Sequence, residues 1–125
     1  MKDPDLSELD YLKVSLEDVQ RNFARFGLLD HQVQFLKGWF CDTLPKAPIK
    51  QLAVLRLDGD MYSSTLDALT ALCPKVSPGG YVILDDYYGW EGCRKATDEY
   101  RAKHGITAEL KRVDWTCTYW QVPPR

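Results

Sequence analysis

Apolar and polar positions along this chain fall into two kinds of segment that alternate. Residues 52–57 and 81–84 are short and almost continuously apolar, as strands buried on both faces are. Residues 64–76 and 91–104 place apolar side chains at helical spacing, and Gly105 follows the second of these segments where a helix would end. Strands that alternate with helices predict an α/β fold built on a largely parallel, three-layer sheet.

The amino-terminal part of the chain has a weaker pattern. Residues 1–14 show no periodicity, and we expect an irregular segment there, ahead of one domain over residues 15–125. Ser15 is placed to cap a helix, and Asp18 completes an approximate capping box. Gly27 stands where that helix should end.

Three more strands and two turns are predicted from shorter stretches. Residues 33–36 read as a brief strand, and residues 106–113 and 115–122 read as a terminal hairpin that turns at Asp114. The Ser-Pro-Gly-Gly stretch at residues 77–80 is rich in residues with restricted or positive φ, so a turn is expected there.

Acidic residues follow each of the two apolar strands. Asp58 and Asp60 flank Gly59 after the first strand, and Asp85 and Asp86 follow the second. Ligands bind outside the carboxyl ends of parallel strands, so the four carboxylates are expected at one sheet edge. Residues two apart in an extended segment point to the same side, which would aim both aspartates of the first group into the site. Oxygen ligands of this kind suit Mg²⁺.

A structural explanation competes with this one. An Asp-x-Asp or Asp-Asp group after a single strand usually closes a turn or caps a helix. Two such groups one strand–helix–strand unit apart favour the metal site instead. Gly59 agrees with it, because a side chain at that position would crowd anything bound over the strand end.

Bulk properties exclude several functions. The 125 residues are enough for one modest domain, and the net charge of −2 gives no electrostatic reason to expect binding to nucleic acid or to an anionic membrane. No apolar run reaches the roughly 18–20 residues of a spanning helix, and the acidic start is unlike a signal peptide. Four scattered cysteines without a Cys-x-x-Cys pair indicate reduced thiols in a cytoplasmic protein.

The stretch LRLDGDMYSSTLDALTALCPKVSPGGYVILDDY, followed by CRKATDEYRAKHGI, resembles the macrocin O-methyltransferase (TylF) family. Members are magnesium- and S-adenosylmethionine-dependent enzymes of antibiotic biosynthesis that methylate sugar hydroxyls of natural products. The resemblance implies the class I methyltransferase fold, with sheet order 3-2-1-4-5-7-6. It also implies that Asp58, Asp85 and Asp86 bind the metal and that Asp60 is the general base.

The same resemblance reveals a missing part. Family members bind the methyl donor through a glycine-rich loop after strand 1 and an acidic residue after strand 2, and neither is recognisable here. We therefore expect the carboxyl-terminal part of the domain, with strands 3-4-5-7-6 present and strands 1 and 2 missing. Residues 33–36 would then lack neighbours and residues 52–57 would have a bare edge. The chain alone is expected to bind S-adenosylmethionine weakly or not at all.

Other residues have two interpretations each. By the resemblance, Gly38, Trp39 and Phe40 lie along the adenine of the donor, while core packing explains the aromatic pair equally well. Tyr62 and Tyr87 follow the acidic groups and would line an acceptor pocket, although packing is as good an explanation. The interleaved charges on the helix at residues 91–104 indicate a solvated face.

The function expected from the sequence is Mg²⁺-dependent methyl transfer to a small-molecule glycoside. The ion would orient the acceptor hydroxyl and lower its pKa, and Asp60 would remove the proton. A homo-oligomer is left open. The rival hypothesis is a truncated, non-catalytic fragment that retains the second half of the fold and a weak metal site. A magnesium phosphotransferase fits less well, because its Asp-x-Asp follows the first strand and nothing here cradles phosphate.

Overall fold

The computed structural model describes residues 1–125 and contains one mixed sheet of four strands. Strands β1 (Leu52–Leu57) and β2 (Val76–Leu84) are parallel, and β2 continues into the antiparallel pair of β4 (Thr118–Gln121) and β3 (Lys111–Arg112). The spatial order is β1-β2-β4-β3. This arrangement confirms the α/β fold class and the predicted 4-5-7-6 part of the strand order.

Four α-helices accompany the sheet: α1 (Leu16–Arg25), α2 (Phe40–Thr43), α3 (Tyr62–Leu72) and α4 (Glu91–Lys103). Helix α3 forms the crossover from β1 to β2, and α4 leads from β2 to the hairpin of β3 and β4. The two helices pack against each other and share one hydrophobic core with the strands. Three short 3-10 turns complete the backbone, at Asp10–Leu12, Leu44–Lys46 and Cys73–Lys75.

The core lies on one face of the sheet. Leu57 from β1, Leu84 from β2 and Trp120 from β4 all point toward α3 and α4 and are buried. On the opposite face Val54 and Tyr81 remain 51% and 40% exposed. The strands are therefore buried on one face, and the prediction of burial on both faces is wrong, because the layer of α3 and α4 covers only one side.

The predicted strand at residues 33–36 does not form, which corrects the expected five-strand set. Its residues have no ladder partner, because the sheet ends at β1 with no strand beside it. A strand is stabilised by pairing and by side-chain contacts across the pair, so an apolar run without a neighbour stays irregular. The outer edge of β1 is unpaired, as the sequence led us to expect.

The Ser-Pro-Gly-Gly stretch lies inside β2 as a bulge. Leu52 pairs with Val76 and Val54 pairs with Tyr81, so six residues of β2 lie opposite three of β1. A Cβ at Gly80 would lie 2.7 Å from the Ala53 carbonyl oxygen, so a side chain at this position would clash with the backbone of β1. The turn residues of the sequence therefore bend a strand rather than precede it.

The terminal hairpin is shorter than predicted, but its turn lies at Asp114 as expected. The Asp114 carboxylate accepts hydrogen bonds from the backbone N–H groups of Thr116, at 2.9 Å, and Cys117, at 2.8 Å. Those two bonds lower the pKa of Asp114. The side chain therefore closes the tip by a local Asx-type turn, and only residues beyond it pair as β3 and β4.

The predicted N-cap and the glycine after the first helix are confirmed, whereas the Asp18 side chain pairs with Arg21 and does not close a capping box on Ser15. Ser15 Oγ accepts a hydrogen bond from the Asp18 N–H at 3.1 Å, and Gly27 adopts φ +68° after the last turn of α1. Helix α1 buries none of its residues. Its Phe23 ring packs edge-to-face on Phe35, with ring centroids 5.6 Å apart.

Candidate functional site

Both acidic groups lie at the carboxyl ends of neighbouring parallel strands, as the sequence predicts. Asp58 follows the last residue of β1, and Asp85 and Asp86 follow the last residue of β2. The Asp85 N–H donates to the Leu57 carbonyl oxygen at 3.0 Å, so strand pairing continues to the start of both acidic loops. This bond fixes the two loops side by side at one edge of the sheet.

The structure brings three carboxylates together. One oxygen from each of Asp58, Asp60 and Asp86 lies within 4.8 Å of the other two. We call these three residues the acidic cluster. Oxygens at this spacing could all reach a single hard cation, whose protein ligands are commonly carboxylates.

The loop between Asp58 and Asp60 is not the extended segment that the sequence suggested. Asp60 adopts φ +60°, in the left-handed region that aspartate tolerates better than most side chains. Ser64 Oγ donates to the Gly59 carbonyl oxygen at 2.6 Å and holds this turn against the start of α3. The carboxylates of Asp58 and Asp60 therefore converge because the backbone turns, and the reason given from sequence for their convergence is wrong.

Asp86 is the most perturbed member of the acidic cluster. Burial, followed by the adjacent Asp60 carboxyl and the charges of Asp58 and Asp85, raises the pKa of Asp86 to about 7. Its Oδ2 atom is buried and has no hydrogen-bond partner. A buried carboxylate oxygen without a partner is costly unless a cation or proton sits beside it. These residues consequently fit a divalent cation such as Mg²⁺.

Asp85 is not part of the acidic cluster. Its Oδ1 atom forms an ion pair with Arg56 Nη2 at 2.9 Å, and Arg56 Nη1 lies 3.5 Å from Asp58 Oδ2. The hydrogen bond to Asp85 is the main cause of the raised pKa of Arg56. Sequence reasoning passed over Arg56, although a charge inside an apolar strand two residues before Asp58 was a visible signal. The assignment of Asp85 as a metal ligand stays a prediction.

The two tyrosines predicted to line an acceptor pocket point to helix α4. The hydroxyl of Tyr62 donates to Glu99 Oε2 at 2.5 Å, and that of Tyr87 donates to Asp98 Oδ1 at 2.7 Å. Burial and then the Asp98 bond raise the pKa of Tyr87 to about 12. The ring of Tyr87 belongs to the hydrophobic core. The acidic partners on α4 were read as a solvated face, because a sequence does not show which neighbour a surface carboxylate meets.

The predicted donor-binding segment lies beside the acidic loop. A Cβ at Gly59 would come within 3.4 Å of Phe40 Cε2, so the Phe40 ring borders the turn between Asp58 and Asp60. Trp39 is 79% exposed, and Gly38 adopts φ +138°. The segment is thus close enough to the acidic cluster to share a ligand with it.

The tip of the β3–β4 hairpin borders the second acidic loop, which sequence reasoning did not anticipate. The Tyr88 N–H donates to the Thr116 carbonyl oxygen at 2.9 Å, and the Arg112 guanidinium stacks over the Tyr88 ring at 4.2 Å from its centroid. Trp115 at the tip is largely exposed. Aromatic surface therefore lies on the hairpin side of the site.

A sequence model of the TylF family, described as macrocin-O-methyltransferase, matches residues 2–122. The chain is 61% identical over 110 residues to demethyldecarbamoylnovobiocin O-methyltransferase of Streptomyces niveus, covering 88% of the chain and 42% of that enzyme. It is 54% identical to mycinamicin III 3''-O-methyltransferase of Micromonospora griseorubida, covering 88% of the chain and 43% of that enzyme. The chain therefore spans about two fifths of the length of these relatives.

A solved structure agrees with the sequence matches. The structure of the O-methyltransferase NovP superposes with a TM-score of 0.90 at 59% identity, over 93% of this chain and 48% of NovP.

No helix of this chain is both long enough and apolar enough to cross a membrane.

Proposed function

Because the chain belongs to the macrocin-O-methyltransferase (TylF) family, we propose that it supplies the metal-binding and proton-accepting part of an O-methyltransferase. The transferred methyl group would come from S-adenosylmethionine, and the acceptor would be a sugar hydroxyl of a small-molecule natural product. The names of the two sequence relatives support an acceptor of this class. The single observation that carries the proposal is the acidic cluster with the unpartnered Asp86 Oδ2 atom.

In this proposal Asp58 and Asp86 hold Mg²⁺, and Asp85 is a further ligand by family resemblance. When bound, the ion supplies positive charge that orients the acceptor hydroxyl and lowers its pKa. The turn at Gly59, fixed by Ser64, keeps Asp58 and Asp60 on the same side of the site.

Asp60 acts as the general base. Its carboxylate takes the proton from the acceptor hydroxyl, the hydroxyl oxygen forms a bond to the methyl carbon, and the bond from that carbon to the donor sulfur breaks. Charge balances, because the donor changes from a sulfonium to a neutral thioether while the proton moves to Asp60. Much of the rate advantage would be positional, since donor and acceptor must be held in line.

In this proposal the chain supplies only part of the contacts to the donor, because no glycine-rich loop like that of the family is recognisable in it. Gly38, Trp39 and Phe40 contact the adenine of the donor, and the glycine-rich loop of the family supplies most of the affinity. The proximity of the Phe40 ring to Gly59 supports a donor that lies next to the acidic cluster. Tyr62 stays a candidate for acceptor contact through its ring face, since its hydroxyl is engaged with α4. The Tyr87 ring lies in the hydrophobic core and its hydroxyl is bonded to Asp98, so Tyr87 supports the second acidic loop and is not proposed to touch the acceptor.

The test joins this chain to the amino-terminal part of a relative and measures transfer of a labelled methyl group. At saturating Mg²⁺ we expect Asp60→Asn to lower kcat by about 10²–10⁴-fold, because a positioned base typically contributes that much. Its Mg²⁺ affinity should fall less than that of Asp58→Asn, since the variant removes a neighbouring charge and not a proposed ligand of the ion. Asp58→Asn should lose both activity and metal affinity, and excess Mg²⁺ should restore part of the activity.

Two outcomes would count against the proposal. Near-normal kcat in Asp60→Asn would remove the base assignment. Equal Mg²⁺ binding by the unaltered chain and by an Asp58→Asn, Asp86→Asn double variant would remove the metal site and favour the non-catalytic alternative.

A further inference from the structure

Arg56 is the one cationic side chain that forms ion pairs at the acidic edge of the sheet. Its guanidinium reaches Asp85 at 2.9 Å and Asp58 at 3.5 Å. The other ion pairs of the structure lie within the amino-terminal segment, within α1 and along α4. A single positive charge is therefore placed against several carboxylates.

The position of Arg56 on β1 is what brings it there. Arg56 and Asp58 are two residues apart, on the sheet face opposite the buried Leu57, so both side chains project to the same side. Arg56 pairs with Ile83 across β1 and β2, which puts its side chain next to the strand that leads into Asp85. The ion pair with Asp85 follows from this register and does not require any loop to move.

We propose that Arg56 is a built-in counter-ion that pairs with Asp85 and Asp58 and competes with a divalent cation for these two carboxylates. This inference rests on the proposed function, because it concerns the same cation. It assigns to Arg56 a positioning role that neither the family match nor the names of the relatives supply.

Arg56 should weaken the binding of a divalent cation at Asp58. A guanidinium and a divalent cation that share Asp58 repel each other, and the guanidinium also neutralises a carboxylate that would otherwise attract the ion. At a separation of roughly 6 Å in water-like surroundings, Coulomb repulsion between one and two positive charges corresponds to about tenfold in affinity. Salt screening reduces that figure, so we expect about three- to tenfold at moderate ionic strength.

The experiment titrates MgCl₂ and MnCl₂ into the 125-residue chain by calorimetry. Arg56→Gln keeps a polar side chain of similar reach without the charge, and it should bind both ions about three- to tenfold more tightly than the unaltered chain. Arg56→Lys keeps the charge and should stay close to the unaltered chain. The gain in Arg56→Gln should shrink as salt is added.

Lys50→Gln is the matched control. It removes the same charge from an exposed residue before β1. Arg56 is six positions further along, and because most of that stretch belongs to β1 the two residues are roughly 20 Å apart at 3.3 Å per residue. That distance exceeds the Debye length of about 10 Å at 0.1 M salt, so its cation affinity should not change.

A second readout is the melting temperature with and without 10 mM MgCl₂. Arg56→Gln should show a larger rise on adding the salt than the unaltered chain, because tighter binding to the folded state adds more stability. Arg56 is well exposed, so the variant is expected to fold.

The outcomes separate this inference from the proposed function. If the unaltered chain binds the ions and Arg56→Gln binds them equally or more weakly, the counter-ion role is overturned while the metal site stands. If neither protein binds them, the metal site fails and the counter-ion role fails with it.

Discussion

Asp3 is tied to a helix far along the chain, and removing it should weaken the fold by a predictable amount. Its Oδ1 atom accepts from the Tyr62 N–H at 2.7 Å, and its Oδ2 atom accepts from the Ser63 N–H at 3.0 Å and also from the Ser63 hydroxyl. Helix α3 has no side-chain cap from its own N-cap residue, Met61. Asp3 therefore performs the capping role for α3 from 59 residues away.

The loss in the free energy of unfolding has two contributions. Replacing a capping side chain by alanine typically costs about 0.5–2 kcal/mol, and a carboxylate at a helix amino terminus adds about 0.3–1 kcal/mol from the helix dipole. Asp3 is partly exposed, and ordering the chain terminus costs conformational entropy, so both terms apply at their lower end. We expect Asp3→Ala to lower the free energy of unfolding by about 1 kcal/mol at neutral pH.

The pH dependence gives an independent check. Burial alone would raise the pKa of Asp3, but hydrogen bonds from the Ser63 side chain, the Ser63 N–H and the Tyr62 N–H outweigh it, so the pKa lies below its usual value. A carboxyl with a lowered pKa in the folded state stabilises the protein above its unfolded pKa of 3.8, and that stabilisation is lost as the pH falls through the folded pKa. The difference between Asp3→Ala and the unaltered chain should therefore be full at pH 6 and should shrink below about pH 4.

Urea unfolding followed by circular dichroism, at several pH values, measures both effects. Asp5→Ala is the matched control, because Asp5 belongs to the same segment and accepts only a local bond from the Ser7 N–H. If Asp3→Ala and Asp5→Ala have the same stability at pH 6, or if the difference is as large at pH 2.5 as at pH 6, the capping role of Asp3 is refuted.

Three further substitutions test other parts of the fold. Leu69→Ala should cost about 2–5 kcal/mol in a urea melt because Leu69 is fully buried, whereas Leu66→Ala on the same helix should cost less. Gly92→Ala should lower the free energy of unfolding by about 1–3 kcal/mol, although alanine has the better helix propensity, because the new Cβ would lie 2.8 Å from the Tyr62 backbone nitrogen. Gly89→Ala is the control, because its Cβ would make an ordinary 3.4 Å contact and should not destabilise the protein. Ser15→Ala should speed amide exchange in α1 without changing the global melting temperature, because α1 buries no residue.

The acidic site could be located from sequence because it depends on a topological rule. Parallel strands place their carboxyl ends at one edge, so Asp58 and Asp86 had to be near each other once both strands were recognised. The position of Asp60 depends on a left-handed backbone angle, and that of Asp85 depends on which side chain neutralises it. Both the backbone angle and the ion pair are selected from local conformations of similar energy, and no periodic pattern in the sequence indicates which one forms.

The strands also include some that could be predicted from the sequence and some that could not. The parallel pair was predictable because Leu57, Leu84 and their neighbours form apolar runs too short for helices. The strand expected at residues 33–36 does not form because pairing is a property of two segments, and no strand of this chain lies beside those residues. In β2 the turn residues at Gly79 and Gly80 were recognised, but their accommodation as a bulge depends on register with β1.

The two phenol–carboxylate bonds to α4 make that helix a common support for both acidic loops. Tyr62 lies two residues after Asp60 and is bonded to Glu99, while Tyr87 follows Asp86 and is bonded to the neighbouring Asp98. The two loops are far apart in sequence, yet one is hydrogen-bonded to Glu99 and the other to Asp98, which are consecutive residues of α4. We expect them to open and close as a single cooperative unit, so that amide exchange in the two loops slows by the same factor when a cation binds.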